Sequence, residues 1–280
     1  MSEAGYELRE VRGPSALGGG RRRSLDLLYL IATTEFKRSY LGTALGYLWS
    51  LARPLLLFAV LLVVFTQAFD LGDRVVHYPV LLLFNIVLFG FFQEATTQAV
   101  SSIVNQESVV RKTQFPRLVI PLAVVLTSLF NLAVNLVVVL GFVLASGIRP
   151  MWTWLLFPLV LGALIVLTTA TAMIVSAVYP RFRDTAIIWS VAATALFYAT
   201  PVLYPIEIVS GTLGDLLALN PLSPLFELAR VWVIDPAAPG PAEAAGGWLP
   251  LLVPAALFVL VCVLAVWIFN REAPRIAEEL

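Results

Sequence analysis

NQESVVRKTQFPRLVIP, residues 105–121, is a short polar and charged segment between two long apolar stretches. Its charged residues Glu107, Arg111, Lys112 and Arg117 would together cost about 10–14 kcal/mol at the centre of a bilayer, so the segment has to leave the membrane. The apolar stretches on its two sides are therefore separate membrane segments joined by a polar connection. This break decides the fold class.

The same segment has the pattern of a short amphipathic helix. Val109, Val110 and Phe115 are spaced so that they give it one apolar face. Pro116 ends a helix and restarts the chain toward the next apolar stretch. A plain connecting loop and a docking element for a cytoplasmic partner are both compatible with this pattern.

The composition of the 280 residues is that of a polytopic membrane protein. Hydrophobic residues make up 60% and charged residues only 13%, with a mean hydropathy of +0.90, whereas a soluble domain is about one quarter charged. The formal net charge of zero gives no indication of a nucleic-acid partner, and we expect none. The single Cys262 and the single His77 predict neither a disulfide nor a metal site.

Six stretches are apolar over the length of about 20 residues that crosses a membrane. They are roughly 50–69, 78–98, 118–145, 152–178, 186–204 and 248–269. With the N-terminus inside, every one of the 18 basic residues except Arg74, Arg149 and Arg230 lies on the cytoplasmic side. The positive-inside rule therefore predicts a multi-pass protein of a plasma membrane with both termini in the cytoplasm.

Two further regions are apolar but do not qualify as spans. Residues 24–49 predict an amphipathic helix that lies along the cytoplasmic surface. In 205–247, Pro221 and Pro224 divide an apolar run that also contains charged residues, which predicts two short re-entrant helices at the outer face. The predicted fold class is an all-α polytopic membrane protein with six transmembrane helices, an interfacial N-terminal helix, short cytoplasmic coupling helices and extracellular re-entrant helices.

The predicted domain division has three parts. Residues 1–23 form a cytoplasmic tail, residues 24–269 the transmembrane domain and residues 270–280 a second cytoplasmic tail. Because the two tails are short, the transmembrane domain holds nearly all of the chain.

Two polar features of the chain are candidate functional sites. Glu94 is the one acid inside a predicted span, and such residues mark substrate or proton pathways. The alternative is a structural acid that is hydrogen-bonded to a neighbouring helix or wetted by water. The second polar connection, YPRFRDT at 179–185, is either another docking point or an ordinary turn, and Asp184 is placed to cap the helix that follows.

Motifs for catalysis and nucleotide binding are absent from the sequence. Its only lysines, Lys37 and Lys112, do not follow a glycine, which excludes a Walker A motif. HExxH, CxxC and GxSxG motifs are also missing. We therefore expect no catalytic residue, no metal ligand and no cofactor bound by this chain.

Four segments resemble, in order, the permease subunits of ABC-2 type exporters for bacterial surface polysaccharides, O-antigen and teichoic acid. The segments are EFKRSYLGTALGYLWSLARPLL (35–56), FFQEATTQAVSSIVNQESVVRKTQFPRLVIPL (91–122), YPRFRDTAIIW (179–189), and TPVLYP (200–205) with LNPLSPLFELAR (219–230). Two departures from the family pattern, Thr200 in place of serine and Val109-Val110-Arg111 before Lys112, leave the substrate open.

The resemblance implies the permease subunit of an ATP-driven exporter that moves a lipid-linked polysaccharide across the bacterial inner membrane. Its implied partners are a second copy of the chain and two ABC ATPase subunits, which would bind ATP and Mg. The implied ATPase-coupling residues are Glu107, Arg111, Lys112, Phe115, Pro116, Arg117, Arg181, Arg183 and Asp184. Since aromatic faces bind sugars well, the candidates for the substrate path are Tyr40, Tyr47, Phe84, Phe89, Phe197, Tyr198 and Tyr204, together with Glu94.

Two alternative functions are open at this point. One is an ABC-2 permease for a drug or a lipid, although the LGxLW and FPR signatures favour polysaccharide. The other is an ion-coupled secondary carrier that uses Glu94 as its proton site. An intramembrane enzyme would need paired acids or histidines within the spans, and the sequence lacks them.

Overall fold

The computed structural model describes residues 21–41, 46–106, 117–209 and 211–272. Within these residues the regular secondary structure is entirely helical. The first part contains α1 (Arg21–Leu41), α2 (Gly46–Gln67), the four-residue α3 (Leu71–Arg74), α4 (Tyr78–Asn105) and α5 (Val119–Ala145). The second part begins with a 3-10 helix, Trp152–Leu156, that runs directly into α6 (Phe157–Val178). It continues with α7 (Thr185–Ala199), a 3-10 turn (Ile206–Ile208), α8 (Thr212–Ala218), α9 (Ser223–Val233), α10 (Pro241–Ala244) and α11 (Leu252–Glu272).

Five of the described helices are long and apolar enough to cross a membrane. They are α2, α4, α5, α6 with its preceding 3-10 helix, and α11. The predicted fifth span, 186–204, corresponds to α7, which is apolar but has only 15 residues. At 1.5 Å per residue α7 is about 22 Å long, whereas the hydrocarbon layer of a bilayer is about 30 Å thick. The prediction of an all-helical, multi-pass membrane protein is confirmed.

The centre of the bundle is α4, which packs against α2, α5, α6 and α7. Its first half is apolar around most of its circumference, and residues 80–89 are all buried. A helix that is hydrophobic on every side has to be surrounded by other helices. Around this centre, α1 packs on α5 and α11 packs on α6.

The helix ends follow from local sequence. Pro79 lies in the first turn of α4, where a proline costs no hydrogen bond. Thr200 is extended because Pro201 follows it, and this ends α7. Pro224 lies in the first turn of α9 in the same way. The two short helices predicted between 205 and 247 therefore exist as α8 and α9.

Several predicted boundaries differ from the structure. The segment predicted as one interfacial helix, 24–49, is divided, because its last four residues belong to the start of α2. Helices extend into both predicted tails. α1 starts at Arg21, within the predicted tail 1–23, and α11 continues to Glu272, within the predicted tail 270–280. The helix predicted over 78–98 continues to Asn105, because buried residues such as Ile103 pack its last turns into the bundle.

The two ends of the bundle are named here by an exposed arginine at each. The Arg149 end contains α3, the start of α4 and the 3-10 helix before α6. The Arg183 end contains the end of α4, the start of α5 and the turn between α6 and α7. Between the two ends, α2, α7 and α11 expose apolar side chains such as Val60, Val191 and Val263. Such surfaces face lipid or another protein in a membrane protein.

Candidate functional site

The candidate coupling residues lie at the Arg183 end. Glu107, Arg111, Lys112, Phe115 and Pro116 fall outside the described residues. Arg117 is partly exposed and lies directly before α5. Its position at this end agrees with the break that the sequence predicts between the second and third spans.

The turn between α6 and α7 presents its predicted residues to the surface. Arg181, Arg183 and Asp184 are all exposed. The Arg181 guanidinium lies 5.4 Å from the centre of the Phe182 ring, and that of Arg183 lies 5.1 Å from the Tyr179 ring, so both make cation–π contacts. Asp184 precedes α7 but makes no capping hydrogen bond with its side chain.

The aromatic candidates for the substrate path fall into two groups. Phe84 and Phe89 are completely buried, and Phe89 lies 5.3 Å from the ring of Phe197 in the core. Tyr198 is 57% exposed on α7, and the Tyr204 hydroxyl donates to the Tyr198 carbonyl at 2.6 Å. In the isolated chain, the second group is the accessible one.

Tyr40 and Tyr47 lie on described backbone, Tyr40 near the end of α1 and Tyr47 at the start of α2. They therefore flank the junction between these two helices. Their part in a substrate path stays a prediction.

Glu94 is part of a polar cluster between α4 and α5. Its Oε1 accepts a hydrogen bond from the Asn131 amide at 2.6 Å and one from the Gln98 amide at 3.2 Å. Arg53 on α2 is near enough to interact electrostatically with the carboxylate. Hydrogen bonds to side-chain amides are what an intramembrane carboxylate needs. The bond to Asn131 is the hydrogen bond to a neighbouring helix that the structural alternative for Glu94 describes, and a role of Glu94 in a substrate path stays a prediction.

The segment after α7 is a buried stretch of irregular backbone whose carbonyls are satisfied by side chains. Asn85 on α4 donates to the Pro201 carbonyl at 3.0 Å, and the Tyr78 hydroxyl donates to the Leu203 carbonyl at 2.9 Å. Asn220 donates to the Ala199 carbonyl at 3.0 Å. Irregular backbone is tolerated at membrane depth only where such partners exist. Residues 199–203 are therefore held to α4 and to the turn between α8 and α9.

A charge cluster continues from this segment, in which Glu227 and Arg230 are buried and Glu207 lies at the exposed edge. Arg230 on α9 makes a bidentate ion pair with Glu207, with N–O distances of 2.9 and 2.8 Å. Glu227, one turn earlier on α9, accepts a hydrogen bond from the Ile206 N–H at 3.1 Å and lies 3.6 Å from Arg230. Burial raises the pKa of Glu227 to about 7, although the Ile206 N–H and the Arg230 guanidinium both favour its charged form. The cluster fixes the 3-10 turn 206–208 against α9.

The other end of α9 is tied to the 3-10 helix before α6. Thr153 donates to the Trp232 carbonyl at 2.6 Å, and the Trp154 indole donates to the Val233 carbonyl at 3.0 Å. Together with the contacts of residues 199–207, these bonds make α9 part of the Arg149 end of the bundle.

Asn85, Asn220 and Tyr78 were not among the residues that the sequence predicted to matter. An asparagine inside an apolar run was the available signal for Asn85, because a buried amide requires hydrogen-bond partners. Glu227 and Arg230 were noted only as charges that argue against a span.

These features define a multi-pass helical membrane protein with an irregular, side-chain-supported segment at one end and an exposed basic turn at the other. The chain belongs to the ABC-2 type transporter family, whose family model matches residues 26–233. It is therefore a membrane-transport protein and not an enzyme.

Curated relatives agree with the family over most of the chain. The chain is 30% identical to the O-antigen export system permease protein RfbA of Myxococcus xanthus, over 91% of this chain and 95% of the relative. It is 28% identical to proteins of the same name from Klebsiella pneumoniae, over 71% of this chain and 76% of those relatives. The likeness thus extends well beyond the four segments that carried the resemblance.

Proposed function

We propose that this chain is the permease subunit of an ATP-driven exporter that moves a lipid-linked cell-surface polysaccharide, such as an O-antigen. Transport would run from the cytoplasmic to the outer face of the bacterial inner membrane. One observation carries the proposal: the chain matches an O-antigen export permease over 91% of its own length and 95% of the relative. A match of this extent includes most of the transmembrane bundle.

The proposed topology has six crossings, with α7 as the fifth. α7 alone is about 8 Å shorter than the hydrocarbon layer. The extended residues 200–205 follow it and are supported by Asn85 and Tyr78 of α4, which supports a crossing made partly of irregular backbone. α8 and α9 would then be re-entrant helices at the outer face.

An even number of crossings places both termini on one side, which we propose is the cytoplasm. The distribution of basic residues supports this orientation. Toward the Arg183 end lie Arg53, Arg117, Arg181, Arg183 and Arg271, whereas Arg74 and Arg149 lie at the opposite end. The excess of positive charge marks the cytoplasmic side.

The proposed assembly contains two copies of this chain and two separate ATPase subunits. ABC-2 family membership implies an ATPase partner, and this sequence has no Walker A motif of its own. ATP and Mg would be bound by that partner. Residues 105–117 and the exposed turn with Arg181, Arg183 and Asp184 would dock onto it, with Phe115 as an apolar anchor and the charges setting the register.

Co-purification tests the coupling part of this proposal. The tagged chain should isolate a Walker-containing ATPase from its native membrane, and the double variant Phe115→Ala with Arg111→Glu should lose it. The matched control is Phe69→Ala with Arg74→Glu, which makes the same two changes on exposed residues at the opposite end. A normal ATPase yield from the first variant would contradict the docking role of residues 105–117.

Surface polysaccharide tests the substrate part. Cells that lack this chain should accumulate the polysaccharide inside and lose it from the surface, and the plasmid-borne chain should restore it. Normal surface polysaccharide without the chain would overturn the proposed function.

A further inference from the structure

The last four turns of α4 have an exposed face that is almost entirely polar. Among residues 90–105, eight are not buried, and only Gly90 and Val104 of these lack a polar side chain. The other six form what we call the α4 polar face: Gln93, Glu94, Thr97, Gln98, Ser101 and Asn105. They recur at spacings of three and four, so they lie on one side of the helix.

Part of the α4 polar face lies at membrane depth. Ile103 packs in a cluster with Ile120 and Phe269, and Phe269 is the last apolar residue before Asn270 and Arg271 end the apolar run of α11. Ile103 therefore marks the level of the membrane boundary. At 1.5 Å per residue, Gln98 lies about 7 Å and Gln93 about 15 Å deeper than Ile103.

The neighbours of the α4 polar face show which gap it faces. On one side, Phe92 contacts Trp189 of α7, with ring centres 6.3 Å apart. On the other side, Glu94 is hydrogen-bonded to Asn131 of α5. The face thus lies between α7 and α5, at the Arg183 end of the bundle.

Lipid is not a suitable neighbour for this face. The transfer of an amide group from water to hydrocarbon without hydrogen-bond partners costs roughly 2–7 kcal/mol of free energy. Within the face, Gln98 donates to Glu94 and Asn105 donates to Ser101, which leaves each amide with further donor and acceptor capacity. The surfaces of this protein that suit lipid have a different composition from the α4 polar face, because α2 and α11 expose valine and leucine side chains.

We propose that the α4 polar face binds the hydroxyl groups of a neutral polysaccharide as it enters from the Arg183 end. This inference rests on the proposed function. Side-chain amides and hydroxyls both donate and accept hydrogen bonds, as sugar hydroxyls do. The face itself contains no lysine or arginine, and the nearby Arg53 on α2 interacts with the carboxylate of Glu94, so the face offers no free cation and a phosphate-rich chain fits it poorly.

Cysteine labelling tests the site directly. Cys262 is the only cysteine, so a Cys262→Ala chain is a clean background. In this background, Thr97→Cys and Gln98→Cys are made, with Val263→Cys on the exposed apolar side of α11 as the matched control. The complete complex with its ATPase is purified into lipid nanodiscs and treated with a cationic methanethiosulfonate.

Complexes from cells in which polysaccharide synthesis is blocked should label at Thr97→Cys and Gln98→Cys at least ~10-fold faster than at Val263→Cys, because thiolate forms in water and not in lipid. Complexes isolated with bound polysaccharide should lose this labelling. Labelling as slow as at Val263→Cys would overturn the proposal, since lipid or a second copy would then cover the face. Fast labelling that polysaccharide leaves unchanged would overturn it as well.

Export in cells separates a binding role from a structural one. Gln98→Leu and Thr97→Val should reduce surface polysaccharide, whereas Gln98→Asn and Thr97→Ser should retain it, with equal membrane levels and equal ATPase co-purification. Full export by the first pair would contradict the inference. Export by the Cys262→Ala chain is measured first, beside the unaltered chain. If only the unaltered chain restores surface polysaccharide, Cys262→Ala is not a usable background. If the unaltered chain also fails to restore it, the proposed function is refuted.

Discussion

At the scale of single residues, the arrangement around Arg230 shows how a charged side chain is kept inside an apolar bundle. Its side chain is 5% exposed and has carboxylates on two elements, Glu207 on the 3-10 turn and Glu227 on its own helix. Glu227 is still less exposed and receives only one backbone hydrogen bond. The Arg230 charge therefore compensates two carboxylates, and its replacement should cost more folding free energy than that of a surface arginine.

We predict that Arg230→Leu lowers the free energy of unfolding by about 3–5 kcal/mol, because it leaves a buried carboxylate without its cation. The measurement is the midpoint of unfolding when the detergent-solubilised chain is titrated with SDS. Glu227→Gln combined with Arg230→Leu is the control and should recover much of the loss. A single variant as stable as the unaltered chain would show that the cluster adds nothing to stability.

At the scale of elements, the irregular segment after α7 depends on side chains from another helix. Asn85 and Tyr78 both lie on α4, and the carbonyls that they bind are more than 100 positions later in the chain. Without these donors the segment would present bare carbonyls to an apolar environment, which costs more than the hydrogen bonds themselves contribute. The helix at the centre of the bundle thus determines the shape of the segment that follows α7.

We predict that Asn85→Leu speeds amide hydrogen exchange in residues 202–208 by about 5- to 160-fold, the equivalent of about 1–3 kcal/mol for an unsatisfied buried carbonyl. Asn135→Leu is the matched control, because within the described residues the Asn135 amide donates to the Asn131 carbonyl of its own helix and not to the segment after α7. That variant should leave exchange in 202–208 unchanged. Equal exchange in the Asn85→Leu and unaltered chains would mean that the segment is held by packing alone.

The sequence predicted the elements better than their ends. Hydropathy located all five described helices that are long and apolar enough to cross a membrane, because a run of about 20 apolar residues is typical of a membrane span and rare elsewhere. It ended the second span at 98, since Gln98, Ser101 and Asn105 lower the hydropathy, while the actual helix continues because its opposite side is buried. It extended the fifth span to 204, because Val202 and Leu203 are apolar for burial and not for lipid contact.

The candidate site was predictable to a smaller extent. Glu94 was identified by its charge. A hydrogen bond from Glu94 to a neighbouring helix was one of the two alternatives considered, but the sequence did not identify Asn131 as the partner. The polar residues that follow Glu94 on α4 recur at spacings of three and four, which places them on one side of a helix, but the spacing does not show whether that side is packed against other helices or exposed. Exposure is a property of the packed bundle, so no pattern in the sequence alone contains it.

At the scale of the whole molecule, the two ends of the bundle carry different chemistry. The Arg149 end has the buried Arg230 with its carboxylate partners and satisfied irregular backbone, whereas the Arg183 end has an exposed basic turn and the α4 polar face. Such a division would suit the proposed exporter, with its ATPase at the Arg183 end and release of polysaccharide at the Arg149 end.

We predict that exposed positions at the two ends lie on opposite sides of the membrane. In the Cys262→Ala background, a membrane-impermeant maleimide added to spheroplasts should label Asp73→Cys and Arg149→Cys, and should label Arg183→Cys only after lysis. Labelling of Arg149→Cys and Arg183→Cys from the same side would contradict the crossing by α6, which separates the two positions in the chain.

The length of α7 has a consequence for the bilayer around the protein. Residues 200–203 continue the chain beyond α7 but are buried, so the apolar length that α7 presents to lipid is about 22 Å against about 30 Å for the hydrocarbon layer. Hydrophobic mismatch of this size thins the surrounding leaflets. Thinning brings the two headgroup layers closer together at one place on the perimeter. The lipid-linked cargo of the proposed exporter would have a shorter distance to travel between leaflets beside that place than in the unperturbed bilayer.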